Sequence, residues 1–250
     1  MNIAVITGAS SGLGKEFFLH LDKNYEEVWL IARRREKMEE IAKLRQDVNS
    51  RIIPMDLMRD ESLDELDSLF KESGACVGLL INNAGFGQLG YFDEMSTKGQ
   101  TGMVRLNDEA LVGVTSVALK YMNRGSQIIN ICSIASFAPN TRMTVYSSTK
   151  AFIMSFSRAL RVELKRREIN VLAVCPGPMA TEFLECAGIK EGSSKTFDTL
   201  PYCDAAKVAE KSLRASEKGK AVYTPKFFYK FYHCVSKLLP TSLLMKMAKT

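Results

Sequence analysis

Short apolar runs alternate along the chain with stretches in which apolar residues recur every three or four positions. The runs at residues 3–7, 28–32, 51–55, 77–82, 127–132 and 170–175 predict strands. Several are apolar at nearly every position, as parallel strands covered on both faces should be. The periodic stretches predict helices over 13–21, 35–47, 62–73, 101–122 and 145–167. In the last of these, Phe152, Phe156, Leu160 and Leu164 recur every four residues and predict a buried stripe. Strand alternating with helix implies a doubly wound parallel α/β sheet with right-handed crossovers. From 179 to 203 the pattern breaks up around Gly188, Gly192, Ser193 and Ser194, which predicts a mobile loop. Residues 205–217 are again helical, and 221–223 suggest one more short strand.

The 250 residues are 46% hydrophobic, enough for one sizeable core, so 1–250 is taken as a single domain. It carries a candidate substrate loop at about 179–203 and a C-terminal extension at about 225–250. Six cysteines are scattered without a C-x-x-C pair, which fits small core residues kept reduced in the cytoplasm. With two histidines and no metal-ligand cluster, no metal site is expected. The start of the chain lacks a signal-peptide pattern, and no apolar run approaches bilayer length. Net charge is +6, unevenly spread. Residues 207–250 hold ten Lys/Arg against two acids, a local +8, and the remainder stands at −2. A nearly neutral body argues against nucleic-acid binding.

Two features carry chemistry. The turn Thr7-Gly8-Ala9-Ser10-Ser11-Gly12-Leu13-Gly14 follows the first strand and leads into a helix. Glycine there permits a tight turn and close backbone approach to a pyrophosphate, whose charge the helix N-terminus attracts. Tyr146 and Lys150 lie four residues apart on one predicted helical face, thirteen and seventeen residues after Ser133. An ammonium beside a phenol favours the phenolate, so the pattern predicts a Tyr146 pKa below its usual value of about 10. That suits a general acid/base. At the end of the second strand, an acid would bind a ribose hydroxyl and a base a 2′-phosphate. Ala32 stands where the acid would be and Arg33-Arg34-Arg35 follows, which points to NADP(H) ahead of NAD(H), with Arg33 and Arg34 on the phosphate.

Together these residues resemble the short-chain dehydrogenase/reductase family over residues 3 to about 181, a Rossmann-type fold. The glycine turn matches its T-G-x-x-x-G-x-G, and Asn82-Asn83-Ala84-Gly85 matches its N-N-A-G segment. Asp56-Leu57 matches the pair that borders adenine. Pro176-Gly177 and Thr181 match the segment that holds the nicotinamide amide. Asn107, Ser133, Tyr146 and Lys150 match the catalytic tetrad in order and spacing. The resemblance implies that Tyr146 exchanges a proton with the carbonyl or alcohol oxygen and that Ser133 polarises it. Lys150 would bond the nicotinamide ribose, and Asn107 would position a water linking Lys150 to solvent. It also implies a homodimer or homotetramer formed through the long helices 101–122 and 145–167.

Phe137, Met143, Phe183, Leu184 and Phe197 make the candidate substrate region mostly apolar. A hydrophobic ketone, aldehyde or alcohol, steroid- or acyl-like, is therefore expected. The competing reading is a non-catalytic dinucleotide-binding sensor or scaffold on the same fold. In the extension, Phe227, Phe228, Tyr229, Phe231 and Tyr232 are interleaved with Lys226 and Lys230, and Pro240 interrupts the apolar face. Such a segment can cover the pocket, pack on a second subunit or make peripheral membrane contact.

Overall fold

Apolar residues at positions 3–6 of the first run leave it no solvent face, and Ile3, Ala4, Val5 and Ile6 are all fully buried. In the computed structural model, which describes every residue except 23, 191, 193 and 248–250, this run is the central strand β1 (Asn2–Thr7). It is followed by β2 (Glu27–Ala32), β3 (Ser50–Pro54), β4 (Cys76–Asn82), β5 (Gln127–Ile131), β6 (Asn170–Val174) and β7 (Val222–Tyr223). Among the described residues they form one seven-stranded sheet in the order β3-β2-β1-β4-β5-β6-β7. Every pairing is parallel. The order reverses between β1 and β4, so their connections leave in opposite directions and open a crevice at the strands' carboxyl ends.

The pleat sends alternate β1 side chains to opposite faces. Ala4 and Ile6 join Phe17 and Phe18 of α1 (Gly12–His20), Met38 and Ile41 of α2 (Arg35–Lys43), and Val208 and Leu213 further along the chain. Ile3 and Val5 join the other layer. It includes Leu66 and Phe70 of α3 (Ser62–Ser73), where Trp29 stacks on Phe70 with ring centroids 5.0 Å apart. The predicted 35–47 helix stops at Lys43. Beyond it Arg45 turns back to donate to the carbonyls of Phe18, Leu19 and Leu21.

The predicted helix over 101–122 is built in pieces. α4 (Thr97–Val104) starts early because Ser96 Oγ accepts from the Gly99 N–H. A wide π-helical turn (Arg105–Glu109) precedes α5 (Ala110–Leu119). Such turns insert one extra residue and re-aim the side chains that follow. α6 (Thr144–Leu164) closes the layer. Its buried face differs from the expected one: Ile153, Met154 and Ser157 turn inward, with Leu164, whereas Phe152 is 44% exposed and stacks on the half-buried Phe156. A period of four drifts around a 3.6-residue helix, so the aromatics start outside the stripe that Leu164 ends.

Residues 179–203 are not an irregular loop. They contain α7 (Glu182–Cys186) and α8 (Lys195–Thr199), and a Met179–Cys203 bridge with a Cys203 N–H to Pro178 O bond of 2.7 Å closes the segment's ends. Ser193, one of the residues that suggested a loop, lies outside the described residues. α9 (Ala205–Glu217), α10 (Phe227–Leu238) and α11 (Thr241–Met247) complete the chain, with Pro240 separating the last two.

The π turn has an electrostatic cost. It carries Asp108, whose Oδ1 is buried without a hydrogen-bond partner. Burial pushes this carboxyl up to about 7, although Lys150 pulls it down. The folded state therefore holds a proton that the unfolded chain has lost, and stability falls as pH rises from the ordinary carboxylate range toward 7. Asp108→Asn should raise the thermal midpoint at pH 8 and change it little at pH 4. Thermal unfolding at the two pH values checks this; an equal shift at both would show that the carboxylate's charge is not the cause.

Candidate active site

The crevice between β1 and β4 is a cleft of about 610 Å³. The glycine turn forms one wall, and close approach dictates its composition. Gly8 has φ +65°, and a Cβ there would lie 2.8 Å from Asn83 Nδ2. A Cβ on Gly14 would lie 2.3 Å from Gly8 O. Thr7 Oγ1 accepts from the N–H groups of Asn83 and Ala84, each at 3.0 Å. Asn83 Nδ2 donates to the carbonyls of Thr7 and Gly8. The N-N-A-G segment is thereby laced to the turn. Ser10, Ser11, Gly12, Leu13, Asp56, Leu57, Gly85, Pro176, Gly177 and Thr181 also border the cleft; Gly14 packs behind it.

Past β2 the arginines differ. Arg33 is exposed on the cleft wall, with no ion pair or hydrogen bond among the described residues. Arg34 is engaged: it donates to Ser10 Oγ and Ser11 Oγ at 3.0 Å and pairs with Glu182 at 2.9 Å. Lys37 reaches the same carboxylate at 2.5 Å. Lys37 and Arg34 together hold Glu182 down at about 2. Glu182 thus clasps α7 to the start of α2 across the cleft. Nothing in its local sequence signals this, because its partners stand about 145 residues away.

At the floor, the end of β5, the π turn and α6 converge. Asn107 is fully buried. Its Oδ1 accepts from Phe86 N–H at 3.0 Å, and its Nδ2 donates to Phe86 O at 2.9 Å and to Thr149 Oγ1 at 3.1 Å. Lys150 Nζ donates to Ile131 O at 2.9 Å and lies 5.7 Å from the Tyr146 ring centroid. Ser133 begins a tight turn, its Oγ accepting from Ala135 N–H. The Cys132 thiol donates to Lys150 O, holding the first turns of α6 on β5. The four residues Asn107, Ser133, Tyr146 and Lys150 thus gather at one place.

The charge balance differs from the expectation. Burial raises the Tyr146 pKa above that of a free phenol, and the neighbouring Ser133 hydroxyl acts in the opposite sense. Burial also lowers the Lys150 pKa. Burial is the largest influence on the phenol, and the Lys150 ammonium is turned to the Ile131 carbonyl. At neutral pH the phenol keeps its proton.

The remaining wall was only partly foreseen. Phe86, Met143, Phe183, Leu184 and Phe197 line it, joined by Phe228, Tyr229 and Tyr232 of α10. Tyr229 is fully buried, and its hydroxyl donates to Pro201 O at 2.8 Å. A Cβ on Gly177 would fall 2.3 Å from its ring.

A short chain dehydrogenase family profile matches residues 2–191. The very-long-chain 3-oxoacyl-CoA reductase of Rattus norvegicus is 33% identical over 188 residues, 72% of this chain and 60% of that protein. Among solved structures, a short-chain dehydrogenase from Sphingobium yanoikuyae in complex with NADPH superposes with a TM-score of 0.80 at 26% identity, covering 95% of this chain and 94% of that one. The bulky-bulky ketone specific alcohol dehydrogenase from Comamonas testosteroni gives 0.76 at 27%, covering 95% and 93%. With three-quarters of its length matched by the family profile and nearly all of it by the fold, the chain belongs to the short-chain dehydrogenase family.

Proposed function

We propose that this protein is an NADP(H)-dependent oxidoreductase that interconverts a carbonyl and an alcohol on a hydrophobic, steroid- or acyl-like substrate. The observation that carries the reading is a buried Tyr146 gathered with Ser133 and Lys150 at the floor of a glycine-walled cleft.

The cleft fits a dinucleotide. Gly8 and Gly12 line the cleft without a side chain, so the turn's backbone is open to a pyrophosphate, while Gly14 behind it lets the helix start pack on the turn. Asp56 and Leu57 would border the adenine, Asn83, Ala84 and Gly85 the adjoining ribose, and Pro176, Gly177 and Thr181 the nicotinamide amide. Arg33, unpaired on the cleft wall, would meet a 2′-phosphate, with Arg34 beside it. When bound, the cofactor supplies the hydride.

The chain's own groups do the rest. Tyr146 exchanges the proton with the carbonyl or alcohol oxygen. Ser133 shares the oxygen and stabilises the charge that develops on it. Lys150 anchors the nicotinamide ribose. Asn107 fixes the backbone over Lys150 and completes the path by which Tyr146 is reprotonated. Met143, Phe183, Leu184 and Phe197 exclude water and accept an apolar substrate body. The rat reductase named above acts on long acyl chains and the Comamonas enzyme on bulky ketones, which agrees with an apolar wall.

Tyr146→Phe removes the acidic proton and little else. It should lower kcat by at least ~10²–10⁴-fold, the usual contribution of a general acid, with NADPH affinity nearly unchanged. Steady-state kinetics on a steroid ketone or 3-oxoacyl thioester, with NADPH fluorescence titration, measure both. Retention of about a tenth of the activity would exclude Tyr146 as the acid. For Arg33→Asp, loss of a charge-assisted contact of about 1.5–3 kcal/mol predicts roughly 10- to 150-fold poorer use of NADPH, with NADH use improved. Equal KM values before and after would place phosphate recognition elsewhere. The outer face of α6, with Phe152 44% and Val162 74% exposed, would pair two subunits about a two-fold axis. Light scattering at micromolar concentration should give the mass of a dimer or tetramer, and a monomer there would remove this assignment.

A further inference from the structure

Helix α10 has three faces, and cleft formation uses one. Tyr229 is buried on Gly177, while Tyr232 and His233 pack on Phe137 with ring centroids 5.9 and 4.2 Å away. A second face points outward. Phe227, Phe231, Cys234 and Leu238 stand at i, i+4, i+7 and i+11, which aligns them along one side of a helix. All four are exposed, Phe227 by 82%, Phe231 by 61% and Leu238 by 78%. Lys226, Lys230 and Lys237 form the third face, an exposed row between this stripe and the protein body. Leu243 and Met245 of α11 are also exposed apolar residues.

A helix serving only as a wall of the cleft would carry polar residues outside. Here a continuous apolar line faces water, which marks a contact surface. Its charge selects the partner. Residues 218–250 contain no Asp or Glu, so the same face of a second copy offers these lysines no counter-charge. An anionic lipid surface does. No described helix is long and apolar enough to cross a membrane, so the geometry is that of a helix lying in the interface.

We propose that α10 docks the protein on an anionic lipid bilayer. Phe227, Phe231 and Leu238 enter the headgroup–acyl boundary, and Lys226, Lys230 and Lys237 pair with headgroup phosphates. Phe228 adjoins the stripe and also lines the cleft, so the cleft mouth lies at the docked side. A lipophilic substrate would then enter from the bilayer; that consequence rests on the proposed substrate class, whereas docking does not.

The test is co-sedimentation of the full chain with phosphatidylcholine vesicles, with and without phosphatidylglycerol, at low and high salt. The protein should pellet with the anionic vesicles, less in high salt and little with phosphatidylcholine alone. Neutralising two lysines in Lys230→Gln/Lys237→Gln should weaken binding about 30-fold, from roughly 1 kcal/mol per lysine near an anionic surface. Phe227→Glu/Phe231→Glu alters only exposed side chains. It should abolish pelleting while the thermal midpoint and NADPH binding stay as in the wild type. Failure of the wild type to pellet with anionic vesicles overturns the proposal, as does undiminished pelleting of both variants. A wild-type dimer that the phenylalanine variant converts to monomer, without vesicle binding, assigns the face to a second copy instead. Loss of turnover in Tyr146→Phe with vesicle binding intact separates the catalytic reading from this one.

Discussion

The cleft floor depends on one side-chain amide. Asn107 gives both its acceptor and a donor to the backbone of Phe86, as a neighbouring strand would. β4 ends at Asn82; beyond it Thr7 Oγ1 takes the N–H groups of Asn83 and Ala84, and the N–H and C=O of Phe86 fall to Asn107. Left unpaired in a buried setting, each would carry a penalty of about 1–3 kcal/mol. Asn107 satisfies them and uses its second donor on Thr149, so the segment beyond β4, the π turn and α6 become one unit. The π turn makes this possible, since it swings position 107 inward where a regular α-helical path would point elsewhere. Lys150 sits one residue beyond Thr149 and inherits its placement.

The other polar groups of the floor are tied in the same way, to backbone. Lys150 is bonded to Ile131 O, Cys132 to Lys150 O and Ser133 to Ala135 N–H. The first two bonds join α6 to β5 and the residue after it, and the third lies within the turn that follows, so the geometry of the reactive groups is fixed by main chain more than by one another. That explains the pKa pattern. The ammonium serves a carbonyl, and the phenol, buried at its side, stays neutral.

The fold was legible because burial on both faces leaves a plain mark. Ile3, Val77 and Val171 stand in runs apolar at nearly every position, and all six longer strands emerge within a residue or two of the expected runs. The glycine turn and the Tyr146–Lys150 pair stand out because their spacing is local, and the structure brings Asn107 and Ser133 to the same place. Three things were not legible. The Phe152 period of four does not separate an inward stripe from an outward one without knowing where the sheet lies. The loop-like composition of 179–203 hid α7 and α8, whose hold comes from distant contacts such as Glu182 with Arg34 and Lys37. Nothing in the sequence marks Asp108, next to Asn107, as buried; it lies on the π turn, with its Oδ1 buried.

Gly177 and Tyr229 bear on how the cleft can change over a lineage. The ring occupies the space a side chain at 177 would need, so even alanine there is barred while an aromatic stands at 229. The reverse order is open: a smaller residue at 229 leaves room for a Cβ at 177 afterwards. Substitutions at the two positions are therefore not additive, and their sequence in time matters. The end of β6 and the C-terminal helix form a historical lock in which the helix must yield first.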